Sequence, residues 1–377
     1  MILFLTYNDQ PSGVYWSQVC DVVAHLNTLG GPRVRLVALV SARDYFGIRR
    51  KIRAHSPDAI VLPMVPRMKR WRANAALVSW ACRWFRPTGI MARGVLATWM
   101  ALRARDKGLV KKVCFDARGA YAAEWEEYRI VEDDALIGQF RDVEGEAVRS
   151  ADVRLAVSEA LVRHWRERYG YTGEEHVVVP CTLGRAHEGP VAAVGNLRSG
   201  LGFTESDVVL VYSGSVAGWQ SFELLGGILG GALEAQRRLK VLFLSPPDKG
   251  IDRLAADFPG RVVRQFLKAE EVPHALQIGD AALLVREDTL TNRVASPTKF
   301  AEYIAAGLPV VISAHIGDFS ALVEGQGLGA VWREGATLPA LERPSSADRA
   351  KYRAFAVAHF TKKGRSTEYR SLLGALA

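Results

Sequence analysis

Ser296-Pro297-Thr298-Lys299-Phe300-Ala301-Glu302-Tyr303-Ile304-Ala305-Ala306-Gly307-Leu308-Pro309-Val310-Val311 reads as a complete helix followed by the start of a strand. Ser296 is a good N-cap, Pro297 suits the first helical position, and Gly307 closes the helix before Pro309 opens an apolar run. At 3.6 residues per turn, Lys299, Glu302, Tyr303 and Ala306 share one face and Phe300, Ala301, Ile304 and Ala305 the other. One face can pack while the other holds a ligand.

A helix start carries about half a positive charge and several free N–H groups, which suits a diphosphate. Lys299, in the first turn, adds a full charge. Glu302, about one turn further on, can accept from both vicinal hydroxyls of a ribose. Together they describe a nucleotide-sugar site. A surface helix with a weak Lys299–Glu302 pair is the competing reading.

The segment resembles the donor-site signature of glycosyltransferase family 4, retaining enzymes of the GT-B fold, in the variant Ser-Pro-x-Lys-x-x-Glu-Tyr-x-Ala-x-Gly-x-Pro-Val. Many members carry two glutamates eight positions apart; Glu302 matches the second, but Val294 stands at the first. That departure removes a carboxylate and leaves Arg286, Lys299 and Glu302 as the polar candidates. The resemblance implies donor contacts from Ser296, Pro297, Thr298, Lys299 and Glu302, with Lys299 and Arg286 among the catalytic groups.

Working outward, strand-like and helical stretches alternate, as a parallel α/β sheet requires. Strands are predicted at 2–6, 34–40, 59–64, 89–92, 112–116, 153–157 and 177–179. The pattern begins again at 208–213, 240–245, 261–266, 281–285, 310–313 and 328–332. These are two doubly wound, Rossmann-like sheets in tandem, and by resemblance they face each other across a cleft. The predicted domains are 1–185, acceptor-binding, and 186–345, nucleotide-sugar-binding. The glycine-rich stretch 183–206 reads as their linker, and residues 346–377 as helices that cross back to the first domain.

Three loops follow strand ends, where open α/β sheets bind ligands. Ser12-Gly13, after the first strand, lacks the dinucleotide Gly-x-Gly-x-x-Gly pattern and matches the family loop near acceptor and donor phosphates. Gly214-Ser215, within Tyr212 to Trp219, resembles the Gly-Ser-x-x-x-Trp loop at which the backbone approaches the donor. Val113 to Glu124 resembles the Phe-Asp-x-Arg-Gly…Glu motif of a subset of the family. It offers Asp116 and Arg118 as catalytic candidates, with Glu124 and, from the preceding strand end, Arg93 on the acceptor side. An Arg118 ion pair that only fixes the loop explains the same residues. Gly226-Gly227 and Gly230-Gly231 fall in a helical stretch and read as close-packing positions.

The chain has 377 residues and a net charge of +9. Twelve Lys or Arg lie between Arg67 and Lys112 against Asp106 alone, so the other residues hold 37 basic and 39 acidic side chains and the excess is local. Trp71, Trp80, Trp84 and Trp99 lie in the same stretch, the mix of an interfacial helix on anionic lipid. A solvated basic face over buried tryptophans is the alternative. Nucleic acid is disfavoured, because no recognition motif accompanies the charge. Met1 to Leu5 is too short for a signal peptide, and no apolar run reaches membrane-spanning length. The expected location is cytoplasmic, with possible peripheral attachment at the inner face of the cell membrane. Four scattered cysteines read as reduced.

Glycosyl transfer needs fixed positive charge against a departing diphosphate. No Asp-x-Asp triplet or histidine cluster points to a metal, and no cofactor is expected beyond the donor, a UDP- or GDP-sugar. The partner on the other side is a glycan or lipid-linked acceptor. Two rival classes remain: a nucleotide-sugar epimerase of the same fold, and a basic nucleic-acid- or membrane-binding module.

Overall fold

The computed structural model describes residues 1–66, 68–129, 134–189, 197–214 and 222–377, with backbone only for Met68, Lys69, Asp134, Ala135 and Phe222. Two compact units divide it: Met1–Gly184 with Lys362–Ala377, and Arg185–Thr361.

The first unit is built on seven strands: β1 (Ile2–Tyr7), β2 (Val34–Val40), β3 (Ile60–Pro63), β4 (Gly89–Arg93), β5 (Lys112–Asp116), β6 (Val153–Ala156) and β7 (His176–Val178). All pair in parallel, in the order β3-β2-β1-β4-β5-β6-β7. Helices cover both faces of such a sheet, so its strands are near-continuous apolar runs, and β1 is buried at every position. The chain runs outward from β1 through β2 to β3 and then crosses to β4. This makes a switch point between β1 and β4, where a crevice opens at the carboxyl ends.

The second unit repeats the plan with β8 (Val208–Ser213), β9 (Leu239–Leu244), β10 (Val262–Gln265), β11 (Ala281–Leu284), β12 (Val310–Ser313) and β13 (Gly329–Trp332), all parallel, in the order β10-β9-β8-β11-β12-β13. Its switch point lies between β8 and β11. Every strand end falls within one residue of the sequence expectation.

The C-terminal region divides, so residues 346–377 do not act as one element. A capping box of Ser345 and Asp348 starts the Ser346–Phe360 helix, which belongs to the second unit. Only from Lys362, whose Nζ donates to the Leu183 carbonyl (2.5 Å), does the chain join the first unit. There the Ser366–Leu376 helix buries Tyr369, Leu372, Leu373 and Leu376 in the core. The stretch expected as a linker is likewise partly built in: Arg198 reaches the Ile278 carbonyl (3.1 Å) and Asp280 (3.0 Å) of the second unit.

Gly226, Gly227, Gly230 and Gly231 lie in the Phe222–Ala235 helix, but a Cβ at any of them meets no described atom within 4 Å. Close packing against the described residues therefore does not explain them. Gly227 and Gly231 are exposed, and alanine in an exposed helix interior is favoured by about 1 kcal/mol over glycine. Gly227→Ala and Gly231→Ala should each raise the urea midpoint by a corresponding amount; a lowered midpoint would show a contact outside the described residues.

Candidate functional site

In the second unit the site grows from the switch point. The signature helix spans Thr298–Ala305, one residue later than expected: Pro297 (φ −62°, ψ 126°) is itself the N-cap, and no side chain caps the helix. Ser296, buried at the residue before proline, lies outside it. At the other end Gly307 (φ +79°) occupies the left-handed position of a Schellman motif, with Leu308 N–H donating to the Tyr303 carbonyl (3.0 Å) and Gly307 N–H to Ile304 (2.9 Å).

The face expected to hold a ligand is itself largely enclosed. Lys299, Phe300, Ala301, Tyr303 and Ile304 are all buried, and Thr298 and Glu302 are half-buried. Phe300 stacks on Phe319 (4.3 Å) and meets Phe360 edge-on (5.6 Å). Tyr303 Oη accepts from Ser213 N–H (2.8 Å) and lies 3.2 Å from the Ser213 carbonyl, clamping the end of β8.

Lys299 runs beside that strand end. Its Nζ donates to Tyr212 Oη (3.2 Å) and sits 4.4 Å from the centre of the Tyr212 ring. Gly214 makes this possible: a Cβ there would lie 2.0 Å from Lys299 Nζ and 2.2 Å from Cε, and its φ of +152° is also one L side chains rarely adopt. Ser215 falls outside the described residues. Burial first, and Arg286 nearby second, pull the Lys299 ammonium well below its ordinary pKa, with Glu302 opposing.

Arg286, just past β11, is buried and donates from Nη1 to Asn292 Oδ1 (3.2 Å). Its backbone N–H donates to Ser313 Oγ (2.8 Å), which donates back to the Arg286 carbonyl (2.9 Å). Val294 is buried in the core, so the position of the missing glutamate is an apolar packing site. His187 Nε2 stands 3.7 Å from Glu302 Oε1. Tyr212, Tyr303, Asn292 and His187 were not among the sequence candidates. Only Tyr303 carried a signal, its i+4 spacing from Lys299.

The first unit gathers a separate cluster at its own switch point. The β4–β5 register pairs Arg93 with Asp116. Asp116 is fully buried, with Arg118 Nε at 2.8 Å and Arg93 Nη1 at 3.6 Å; Arg93 also faces Asp9 at 3.7 Å. Arg118 is enclosed, its two terminal nitrogens without a hydrogen-bond partner among the described residues. Burial opposes its charge, Asp116 supports it, and the net direction is upward. Arg118 and Arg93 are thus similarly enclosed, at 8% and 11% side-chain exposure, on either side of Asp116. Ser12 and Gly13 are exposed at the start of the first helix; Ser12 makes no side-chain cap, and Gly13 has neither a crowding neighbour nor a positive φ.

Glu124 lies in the first turn of the Tyr121–Glu127 helix, its pKa raised by burial and then by Glu127. A carboxylate the sequence did not mark supports that turn. Glu144 accepts from Tyr121 N–H (3.0 Å), Ala122 N–H (2.9 Å) and Tyr169 Oη (2.9 Å), yet burial outweighs these donors and lifts its pKa from 4.5 to about 7. Because the folded value lies above the unfolded one, the folded state keeps a proton that the unfolded chain releases. The associated stability is complete below pH 4.5 and is lost as pH rises through about 7. Unfolding free energy should drop by about 3 kcal/mol over that window, and Glu144→Gln should flatten the slope in denaturant titrations.

Among the described residues no group of three or more His, Cys, Asp or Glu stands together as a metal site, and no helix is long and apolar enough to cross a membrane.

No protein-family model and no curated protein matches the sequence. Solved structures match the fold. Anabaena HepE, in complex with UDP and glucose, aligns at a TM-score of 0.72 and 14% identity over 99% of both chains. Sucrose-phosphate synthase from Thermosynechococcus elongatus aligns at 0.71 and 14%, again over 99% of both. A UDP-N-acetylglucosamine 2-epimerase candidate from Listeria monocytogenes gives 0.52 at 10% identity, covering 98% of this chain and 89% of that one. The chain thus has the GT-B fold, with two Rossmann-like α/β units of seven and six parallel strands.

Proposed function

We propose that this protein transfers a sugar, with retention of configuration, from a nucleotide-diphosphate sugar to a glycan or lipid-linked acceptor. One observation carries the reading: two cations, Lys299 and Arg286, are buried at the switch point of the second sheet, and Gly214 leaves room for one of them. A diphosphate placed there would form charge-assisted hydrogen bonds with both. UDP in the HepE structure makes a UDP-sugar the first donor to test. In this reading Glu302 takes the ribose hydroxyls, Ser296 to Thr298 and Gly214 line the diphosphate, and Lys299 with Arg286 stabilises the leaving group as its bond to the sugar breaks. The family resemblance favours front-face transfer, in which the departing phosphate accepts the acceptor's proton, so no side-chain nucleophile is assigned. Arg93, Asp116 and Glu124 belong to the acceptor side.

A thermal-shift panel of UDP-, GDP-, ADP- and TDP-sugars tests the donor, since ligand at about a hundred times its dissociation constant stabilises by about 2.7 kcal/mol. Glu302→Ala should abolish nucleotide release while the fold survives. The anomeric configuration of the product, read by NMR, tests retention. The Listeria epimerase candidate favours a second reading, mass-neutral conversion of the donor without any acceptor.

Peripheral membrane attachment is part of the proposal, on a smaller surface than the composition suggested. Trp71 is buried against Trp99 (4.9 Å), and Arg103, Arg105 and Lys112 are paired with Asp106, Glu146 and Asp152. Aromatic and basic groups coincide on the surface at the Ala75–Phe85 helix, with Trp80 and Trp84 exposed and stacked at 6.2 Å beside exposed Arg83 and Arg86. Sedimentation with anionic liposomes should capture the protein and neutral liposomes should not; equal capture would remove the electrostatic argument.

A further inference from the structure

The first unit contains a cavity of about 490 Å³ at the carboxyl ends of β1 and β2, lined by Gln10, Ser12, Ser41, Arg43, Asp44 and Lys51 among others. It lies on the β2 side of β1, whereas Arg93 and Asp116 stand on the β4 side. Its size suits a small ligand.

The lining is cationic. Arg43 and Lys51 are exposed and enter no ion pair among the described residues. Outside the lining, the Tyr45–His55 helix that carries Lys51 also holds Arg49, Arg50 and Arg53 and no acid. Asp44 is the one carboxylate, and it lies over the first turn of that helix, 2.4 Å from where a Cβ on Gly47 would stand. Ser12, Ser41 and Gln10 supply further donors. Val14 and Phe46, two residues beyond Ser12 and Asp44, are 50% and 79% exposed.

We infer that this cavity binds the phosphate of a phosphorylated acceptor, through Arg43 and Lys51. The inference rests on the glycosyl-transfer reading and narrows its acceptor to an anionic one. A neutral glycan gains nothing from two unpaired cations, whereas a phosphate ester gains charge-assisted bonds from both, two-pronged from the guanidinium. The phosphate comes from a free sugar phosphate or from an isoprenyl diphosphate, for which Val14 and Phe46 would meet the chain.

Calorimetric titration with inorganic pyrophosphate tests it on the wild type, on Arg43→Gln/Lys51→Gln and on Lys299→Met. Two classes of site are expected in the wild type and one in each variant. The double variant should also raise the acceptor KM at least about tenfold while acceptor-free donor hydrolysis stays unchanged. Glucose 6-phosphate and geranyl diphosphate, titrated separately, distinguish the sources; loss of either one's binding in the double variant supports the inference. Pyrophosphate and both organic phosphates binding the double variant as they bind the wild type would overturn it. Unchanged binding to Lys299→Met would instead count against the nucleotide site and leave this cavity standing.

Discussion

Lys299→Met should lower kcat/KM for the nucleotide sugar by about 10²–10³-fold, the scale of removing one preorganised electrostatic contact, without destabilising the protein near neutral pH. The activity loss follows from the proposed role at the diphosphate. Stability follows from burial. Lys299 has a folded pKa well below its ordinary value, so the unfolded chain binds a proton that the folded state holds less readily. That penalty is full below the depressed folded value and vanishes as pH rises towards the unfolded one. Methionine has a similar shape and no charge, and such replacements are often neutral or stabilising. Gly214→Ala should mimic the activity loss, since its Cβ would displace Lys299 from Tyr212. Nucleotide release and urea unfolding check both halves: turnover within tenfold of wild type would sink the assignment, and a marked drop in stability would show that Lys299 is structural.

Asp116→Ala should destabilise the first unit by about 3–5 kcal/mol, the cost of breaking a buried ion pair by removing one partner. Asp116 is fully buried between Arg118 at 2.8 Å and Arg93 at 3.6 Å. Without it, Arg118 loses its carboxylate partner in a low-dielectric site and Arg93 keeps only Asp9, at 3.7 Å, among the described residues. Two units permit two unfolding transitions, so the measurement is a denaturant titration with limited proteolysis, following fragments of each. Loss confined to the first unit is the expected pattern. An unchanged transition would mean that water or rearrangement neutralises the cluster. Arg93→Gln leaves Asp116 paired with Arg118 at 2.8 Å, so it should lose less stability than Asp116→Ala and more of its activity towards the acceptor.

The strands were legible because parallel strands covered on both faces must be apolar at nearly every position, as Ile2 to Leu5 and Val208 to Tyr212 are. The C-terminal region was legible as helix but not in its placement, because the pattern of a helix says that a face is buried and not against which sheet. The signature helix shows the same limit. Its period set Lys299 and Tyr303 on the face free to hold a ligand, and could not say that both would be buried. Tyr303 clamps Ser213, ninety positions earlier. Glu144 carried no local signal, since its partners Tyr121 and Ala122 are more than twenty residues away.

Local composition by itself determined the α/β alternation, the doubling of the sheet, the helix-ending Gly307 and the residues with the chemistry to meet a nucleotide sugar. All of these depend on backbone preference and short-range periodicity. Tertiary structure alone decided which of those residues are buried, that Gly214 makes room for Lys299, that Val294 packs in the core, and that Trp71 is sequestered while Trp80 and Trp84 are exposed. Burial and charge pairing depend on neighbours far away in the chain, and these set the desolvation of Lys299 and the counter-charge at Asp116.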